Sequence, residues 1–356
     1  MHPLLRTLAL CIILCCGVNA FADESMESDA AKLEQLKRSW TFTFYFENDL
    51  FVNLDSNYTN GVKFSWLSPD LLSYAESRQL PKWTHQFIEY LPFIHKPGNI
   101  RNVALSLGQN MYTPKDITIP TLQVNDRPYA GWLNFGIGFH SRSARQLDVV
   151  ELSLGVIGPL SFTEESQDFV HRVRDINRPK GWDHQLKNEP AINLFWERRH
   201  RIFEYGLGHG LGFDMLGGYG AAMGNVAIFA KVTGEMRAGY NLPIDFGTST
   251  IRFGGDTSAP SSPDDPRLSR GKSRFGIYAF AGGDARGIAR DIFLDGNTFR
   301  DSHSVDKEYF VGSFSCGLSA IYGSWKATYA HVRRMRQFEL QENYSVYGSI
   351  SISYSY

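Results

Sequence analysis

Four polar residues in this chain of 356 have side chains and spacing suited to hydrolytic chemistry: Asn48, Asp49, Gln167 and His171. Asp49 supplies a hard anionic oxygen and Asn48 an amide oxygen or N–H, a mixture that Ca²⁺ accepts together with backbone oxygens. A neutral His171 can take a proton from water as a general base near neutral pH. Gln167 stands four residues earlier on the same helical face, where it could fix the orientation of the imidazole. Plainer readings sit beside these. Asx residues at a strand end favour turns because their side chains bond nearby backbone amides, and His171 could be an exposed polar residue. A helix lying against the strand ends would bring His171 to Asn48, Asp49 and Thr59.

The rest of the chain offers little competing chemistry. It contains no G-x-S-x-G elbow, H-E-x-x-H, P-loop or C-x-x-C, so a serine hydrolase of the usual α/β type or a zinc protease is unsupported. Asn53, Asp55 and Asn57 have a spacing slightly like a calcium loop but lack its glycine and terminal Glu. Gly206, Gly208, Gly210 and Gly212 read as the packed interior of a strand, and Asp301 to Lys307 as a solvated outer loop. A formal net charge of −1 gives no footing for nucleic acid as a partner.

The elements that must position the four residues are mostly strands. Trp40, Phe42, Phe44 and Phe46 alternate with Thr41, Thr43, Tyr45 and Glu47, which gives one oily and one wet face because strand side chains alternate with period two. The same period recurs at residues 59–66, 103–111, 132–140, 147–157, 191–200, 202–216, 226–240, 274–283, 309–322, 325–333 and 344–356. Three stretches break it. Pro69 to Asn99 has helical spacing; Gly158 to Pro190 is an insertion; Gly254 to Lys272, rich in Gly, Ser and Pro, reads as a flexible connector. The insertion predicts a helix over about 161–178, with Ser161 and Glu164 in capping-box spacing and an apolar stripe at Phe169, Val173 and Ile176.

Both chain ends point to export. Arg6, the apolar run from Leu8 to Val18 and Ala20-Phe21-Ala22 form a signal peptide over residues 1–22, too short to span a bilayer as a helix, which takes about 20 residues. Residues 23–39 read as a periplasmic lead. Three of the four cysteines lie in the signal, so only Cys316 remains and no intrachain disulfide can form. The last strand alternates Val346, Gly348, Ile350, Ile352, Tyr354 and Tyr356 with Tyr347 and four serines. Alternating strands, an export signal, no helical span and a negative mean hydropathy predict an all-β fold, an antiparallel transmembrane barrel of about 12 strands over residues 40–356. Its C-terminal strand resembles the signal read by the barrel-assembly machinery. With both termini periplasmic, the loops after strands one, three and five face outward, so all the polar clusters share the outer side. The short turns near Ser141 to Arg145, Arg199 to Arg201 and Tyr322 to Ser324 face the periplasm.

Several motifs carry a family resemblance: Glu47-Asn48-Asp49, Tyr58-Thr59-Asn60-Gly61, Gly108 to Pro114, Asp126 to Ala130, Gly155 to Pro159, Gln167 with His171, and Gly181 to Leu186. Together they resemble the outer-membrane lipid A 3′-O-deacylases over nearly the whole mature chain. The resemblance implies a twelve-stranded barrel in the bacterial outer membrane, a monomer, that hydrolyses the 3′-linked acyloxyacyl ester of lipid A in lipopolysaccharide with Ca²⁺. It implies that His171 is the base, that Asn48, Thr59 and Gln167 are active-site residues, and that Asp49 and Asn48 serve the metal. Where the family has an acidic residue six positions after the His, this chain has Asn177; Lys115 is the nearest counterpart of a family basic residue. An outer-membrane phospholipase and a non-enzymatic porin are the alternatives.

Overall fold

The structure is a computed structural model that describes residues 40–49, 57–77, 80–88, 90–91, 93–248, 250–251, 256–268 and 274–356, with backbone only at 57–59 and 83. The signal peptide, the lead, Asn53 and Asp55 lie outside the described residues, as do the side chains of Asn57 and Thr59. Twelve antiparallel strands close into a barrel in sequence order: β1 (Thr41–Asn48), β2 (Asn57–Leu67), β3 (Ile100–Thr113), β4 (Ala130–Arg142), β5 (Gln146–Ile157), β6 (Glu189–Gly208), β7 (Leu211–Gly224), β8 (Ala227–Tyr240), β9 (Phe275–Asp291), β10 (Phe310–Tyr322), β11 (Trp325–Arg334) and β12 (Ser345–Ser355). The seam pairs β1 with β12, from Thr41 opposite Ser355 to Asn48 opposite Gly348. Beyond it, Trp40 and Tyr356 exchange backbone hydrogen bonds of 2.8 and 2.9 Å. Closure leaves the sheet without an edge, which the hydrocarbon layer demands of any strand crossing it.

The alternation sorts side chains as the sequence predicts. Thr41, Thr43, Tyr45 and Glu47 are buried in the lumen, while Phe42, Phe44 and Phe64 pack against one another on the outward face. Exposed aromatics at the periplasmic end, among them Tyr205, Phe275, Tyr322, Trp325 and Tyr356, form the girdle expected at a membrane interface.

Two expectations fail at β6 and β7. The turn near Arg199 to Arg201 does not exist; β6 runs on to Gly208 with ladder irregularities between Arg201 and Phe203 and between Gly206 and Gly208. The turn instead falls at His209 and Gly210, where Gly208, His209 and Gly210 all have positive φ. Gly208 and Gly210 therefore serve the turn rather than a strand interior, since glycine adopts this backbone without a Cβ clash.

The segment 241–274 between β8 and β9 is the larger correction. Its described part from Asp256 to Leu268 is not a loose surface connector but folds up inside the barrel. Phe246 packs against the inward Leu147 and Val149, and Ala259 against Leu67 and Ala104. Thr43 donates to Asp256, the Ile251 N–H to Glu47 at 2.6 Å, Arg199 to the Phe246 carbonyl at 2.9 Å and Arg142 to the Ser261 carbonyl at 3.0 Å. At its base Asp245 faces three cations, Arg237, Arg267 at 3.1 Å and Lys326 at 2.8 Å. Chain composition gave no hint of this, because the polar partners that hold the segment come from five different strands.

Further packing covers the wall and the outer end. Helix α1 (His85–Ile88) lies within the periplasmic excursion 68–99, whose Tyr74 and Phe93 cover Phe139 and Trp196 on the outer wall. At the other end a helical turn, Ile292–Asp295, stacks Phe293 on Tyr112 with centroids 3.9 Å apart. The stretch from Asp301 to Lys307, expected to be a solvated loop, is tied down by His303 donating to the Asp126 carbonyl at 2.7 Å and by Lys307 paired with Asp295 at 2.7 Å. In a planar bilayer the protein is expected to show no steady conductance; stepwise channel openings would contradict a filled lumen.

Candidate functional site

A row of residues on the outward face of the outer rim sets the site. Asn48 in β1 stands opposite Asn60 in β2, Asn60 opposite Met111 in β3, and Met111 opposite Gly131 in β4. Helix α2 (Thr163–Val173) lies against β3 and β4 on this face. Gly131 is what allows it to sit there: a Cβ at that position would come within 1.7 Å of Thr163 Oγ1 and 2.1 Å of Ser161 Oγ. Gln109 of β3 also donates to the Ser161 carbonyl at 2.7 Å. Gly131→Ala is expected to push α2 off the wall and lose most activity while the barrel still shifts on heating in SDS gels, since overpacking is relieved locally.

The helix is inverted relative to one on a water-soluble protein. Thr163, Gln167 and His171, four residues apart, are its buried face, while Phe169 and Val173 are 62% and 69% exposed. The apolar stripe read from the sequence is real, but it faces away from the protein, as befits a helix beside lipid. The capping box does not form. Phe162, in the left-handed region, precedes the first turn without a side-chain cap, and Ser161 donates instead to the Gly158 carbonyl at 2.6 Å.

The end of α2 orients the His171 ring. Asp175 takes a positive φ of 54°, turning the chain so that the Asn177 carbonyl reaches His171 Nδ1 at 2.5 Å. A carbonyl can only accept, so Nδ1 carries a proton, and in the neutral tautomer that this bond selects the lone pair lies on Nε2. His171 is buried, and no hydrogen bond from Nε2 to a described residue competes for that lone pair. The backbone of Asn177 thus holds the ring, a role the sequence reading gave to Gln167. Gln167 is fixed separately: its Oε1 accepts from Trp182 Nε1 at 2.8 Å, which leaves its buried Nε2 with no hydrogen-bond partner among the described residues. Trp182 in turn packs on Tyr129, Met111 and Ile117, and a Cβ on the preceding Gly181 would meet the Tyr129 ring at 2.5 Å. The motifs Asp126 to Ala130 and Gly181 to Leu186 are therefore the seat of the helix.

Asn48 and Asp49 are 4% and 0% exposed at the end of β1. Neighbouring strands lie about 4.8 Å apart, so Asn48 stands roughly 10 Å along the rim from the strand that carries one edge of α2. Thr59 falls where the β2–β3 ladder shifts between Tyr58 and Asn60, an irregularity that re-aims a strand end. Lys115 is not gathered in; it pairs with Glu342 at 2.5 Å, a hydrogen bond that raises the lysine pKa and lowers that of the glutamate. The described residues include no cluster of three His, Cys, Asp or Glu. The donors present at the strand end, a buried carboxylate and an amide oxygen, are nonetheless hard oxygens that fit Ca²⁺ and none of the softer metals. Gly131, Trp182 and the Asn177 carbonyl escaped sequence reasoning, although two of the three stand inside or beside motifs it had singled out.

A closed antiparallel barrel of twelve strands with an apolar outward band is built as an outer-membrane protein. The model of the family Outer membrane protein LpxR matches residues 8–356, and the chain belongs to that family. Among solved structures it is similar to LpxR from Salmonella typhimurium, with 14% identity and a TM-score of 0.68 over 88% of this chain and 99% of that one. The β-domain of the Bordetella autotransporter BrkA follows at 9% identity and a TM-score of 0.40, covering 89% and 98%. At these identities the likeness shows the fold alone. No curated protein matches the chain.

Proposed function

We propose that this protein is a lipid A 3′-O-deacylase that uses His171 to activate water. The observation that carries the reading is the hydrogen bond from His171 Nδ1 to the Asn177 carbonyl, which presents a basic Nε2 from the buried polar face of α2 in a barrel of the LpxR family. Nε2 takes a proton from water as the oxygen attacks the ester carbonyl carbon. Gln167 Nε2, held in place through Trp182, donates to the carbonyl oxygen as it becomes an oxyanion. Collapse of the tetrahedral intermediate breaks the ester C–O bond, and the imidazolium returns its proton to the departing sugar oxygen. Asp49 and Asn48 would hold Ca²⁺, which when bound supplies positive charge near the developing oxyanion. The exposed Phe169 and Val173 give the acyl chains an apolar flank.

The test is mass spectrometry of lipid A from cells making the protein, beside an Asp49→Ala variant, with Ca²⁺ added or chelated in detergent extracts. Loss of the 3′-acyloxyacyl mass only with the intact residue and Ca²⁺ is expected. Unchanged lipid A from a folded barrel would sink the reading, and fatty acid released from glycerophospholipid instead would favour the phospholipase. The filled lumen weighs against a porin.

A further inference from the structure

A groove of about 750 Å³ opens on the outer rim between the β3–β4 loop and the β11–β12 hairpin. It runs into the site just described from two directions. At one end its wall residue Val346 lies two positions before Gly348, the register partner of Asn48. At the other, Ile119 presents its carbonyl 3.1 Å from the place a Gly181 Cβ would take, next to the Trp182 that fixes Gln167. The groove therefore lies beside both the strand end that carries Asn48 and the Gly181–Trp182 seat of α2.

The chemistry of the groove is that of a charged sugar. Asn125 and Asn343 offer exposed amides to hydroxyl groups, whereas the Gln341 amide is spent inside the protein on Gln337, Asn343 and Ser345. Of the two cations in the lining, Lys115 is engaged by Glu342. Arg333 is different: its guanidinium lies 4.5 Å from the centre of the Tyr344 ring, it is exposed, and no carboxylate pairs with it among the described residues. A planar fork stacked on an aromatic ring suits bidentate contact with phosphate. Arg333 stands opposite Val346 in the outward row at the outer end of β11, the level of outer-leaflet headgroups.

We infer that the groove seats the phosphorylated sugar of the substrate and that Arg333 anchors its phosphate. The inference rests on the deacylase reading, in which the 3′ ester and the 4′ phosphate occupy neighbouring positions of one glucosamine. The test uses the full-length protein carrying His171→Ala, so that lipid binds without turnover, and native mass spectrometry in detergent with lipid A bearing or lacking the 4′ phosphate. Adding Arg333→Gln is expected to weaken binding of the phosphorylated lipid by about tenfold or more, the scale of a hydrogen bond to a charged group, and to leave the phosphate-free lipid within about twofold of its parent, the noise expected of a surface change. Arg333→Lys should restore part of the loss. No change, an equal loss for both lipids, or failure of the folded protein to bind either would overturn it. Turnover by the otherwise native protein is read separately: 3′-deacylation whose KM is indifferent to Arg333→Gln overturns the anchor and leaves the deacylase standing, whereas no deacylation alongside phosphate-dependent binding does the reverse.

Discussion

His171→Ala should lower the rate of 3′-deacylation by about 10²- to 10⁴-fold, the usual contribution of a positioned general base, equivalent to roughly 3–5 kcal/mol of barrel-bound transition-state stabilisation. The reason is geometric. Only Nε2 of this ring has a lone pair to offer, because Nδ1 is committed as donor to the Asn177 carbonyl. The same bond gives a sharper contrast. Since the acceptor is backbone, Asn177→Ala should keep activity within about threefold, as expected of a side chain removed without cost to the contact. An Asn177→Ala enzyme as dead as His171→Ala would mean that the side chain, not the carbonyl, does the orienting. Both comparisons are made by initial rates on purified lipid A in detergent, with gel mobility confirming a folded barrel.

Asp245→Ala is expected to be the most destabilising single change in the lumen, costing about 3–5 kcal/mol, as when one partner of a buried ion pair is removed. Burial alone would raise the Asp245 pKa, but Lys326, Arg237 and Arg267 overcome it and hold the carboxyl well below its usual range. Without it those three side chains, all at most 3% exposed, lose their shared anion. Arg237 keeps Asp214 at 2.5 Å and Arg267 keeps Asp265 at 2.8 Å, which leaves Lys326 worst placed. Because the folded pKa is depressed, the contribution is fully present above the unfolded value of about 3.9 and is lost as pH falls through the folded value. Urea unfolding followed by gel mobility should therefore show a large gap between native and variant proteins at pH 7 that narrows only in strong acid. A gap that closes near pH 5 would assign the stability to another group.

The barrel was legible because its period is short and repeated: the alternation in β1 and β12 reads directly as a wet and an oily face, and the count of twelve survives even where β6 and β7 were divided wrongly. That error arose because Arg199 to Arg201 looks like a polar turn, whereas Arg199 and Arg201 point inward to the Phe246 and Asp245 carbonyls. The candidate residues were legible from motif and type. Their arrangement was not, since the inversion of α2 depends on lipid being outside, and the His171 ring is oriented by a backbone carbonyl, which leaves no mark in side-chain identity. The luminal segment was misread for a related reason. Gly, Ser and Pro disfavour regular structure but say nothing of where an irregular chain lies.

The luminal segment also bears on how the molecule is put together. It is gripped from inside by β1, through Thr43 and Glu47, and β1 is the strand that must find β12, more than three hundred residues later in the chain, to close the seam. The described part of the segment thus ties the filling of the lumen to the seam: the strand that closes the barrel against β12 is the one whose inward side chains, Thr43 and Glu47, hold Asp256 and the Ile251 N–H.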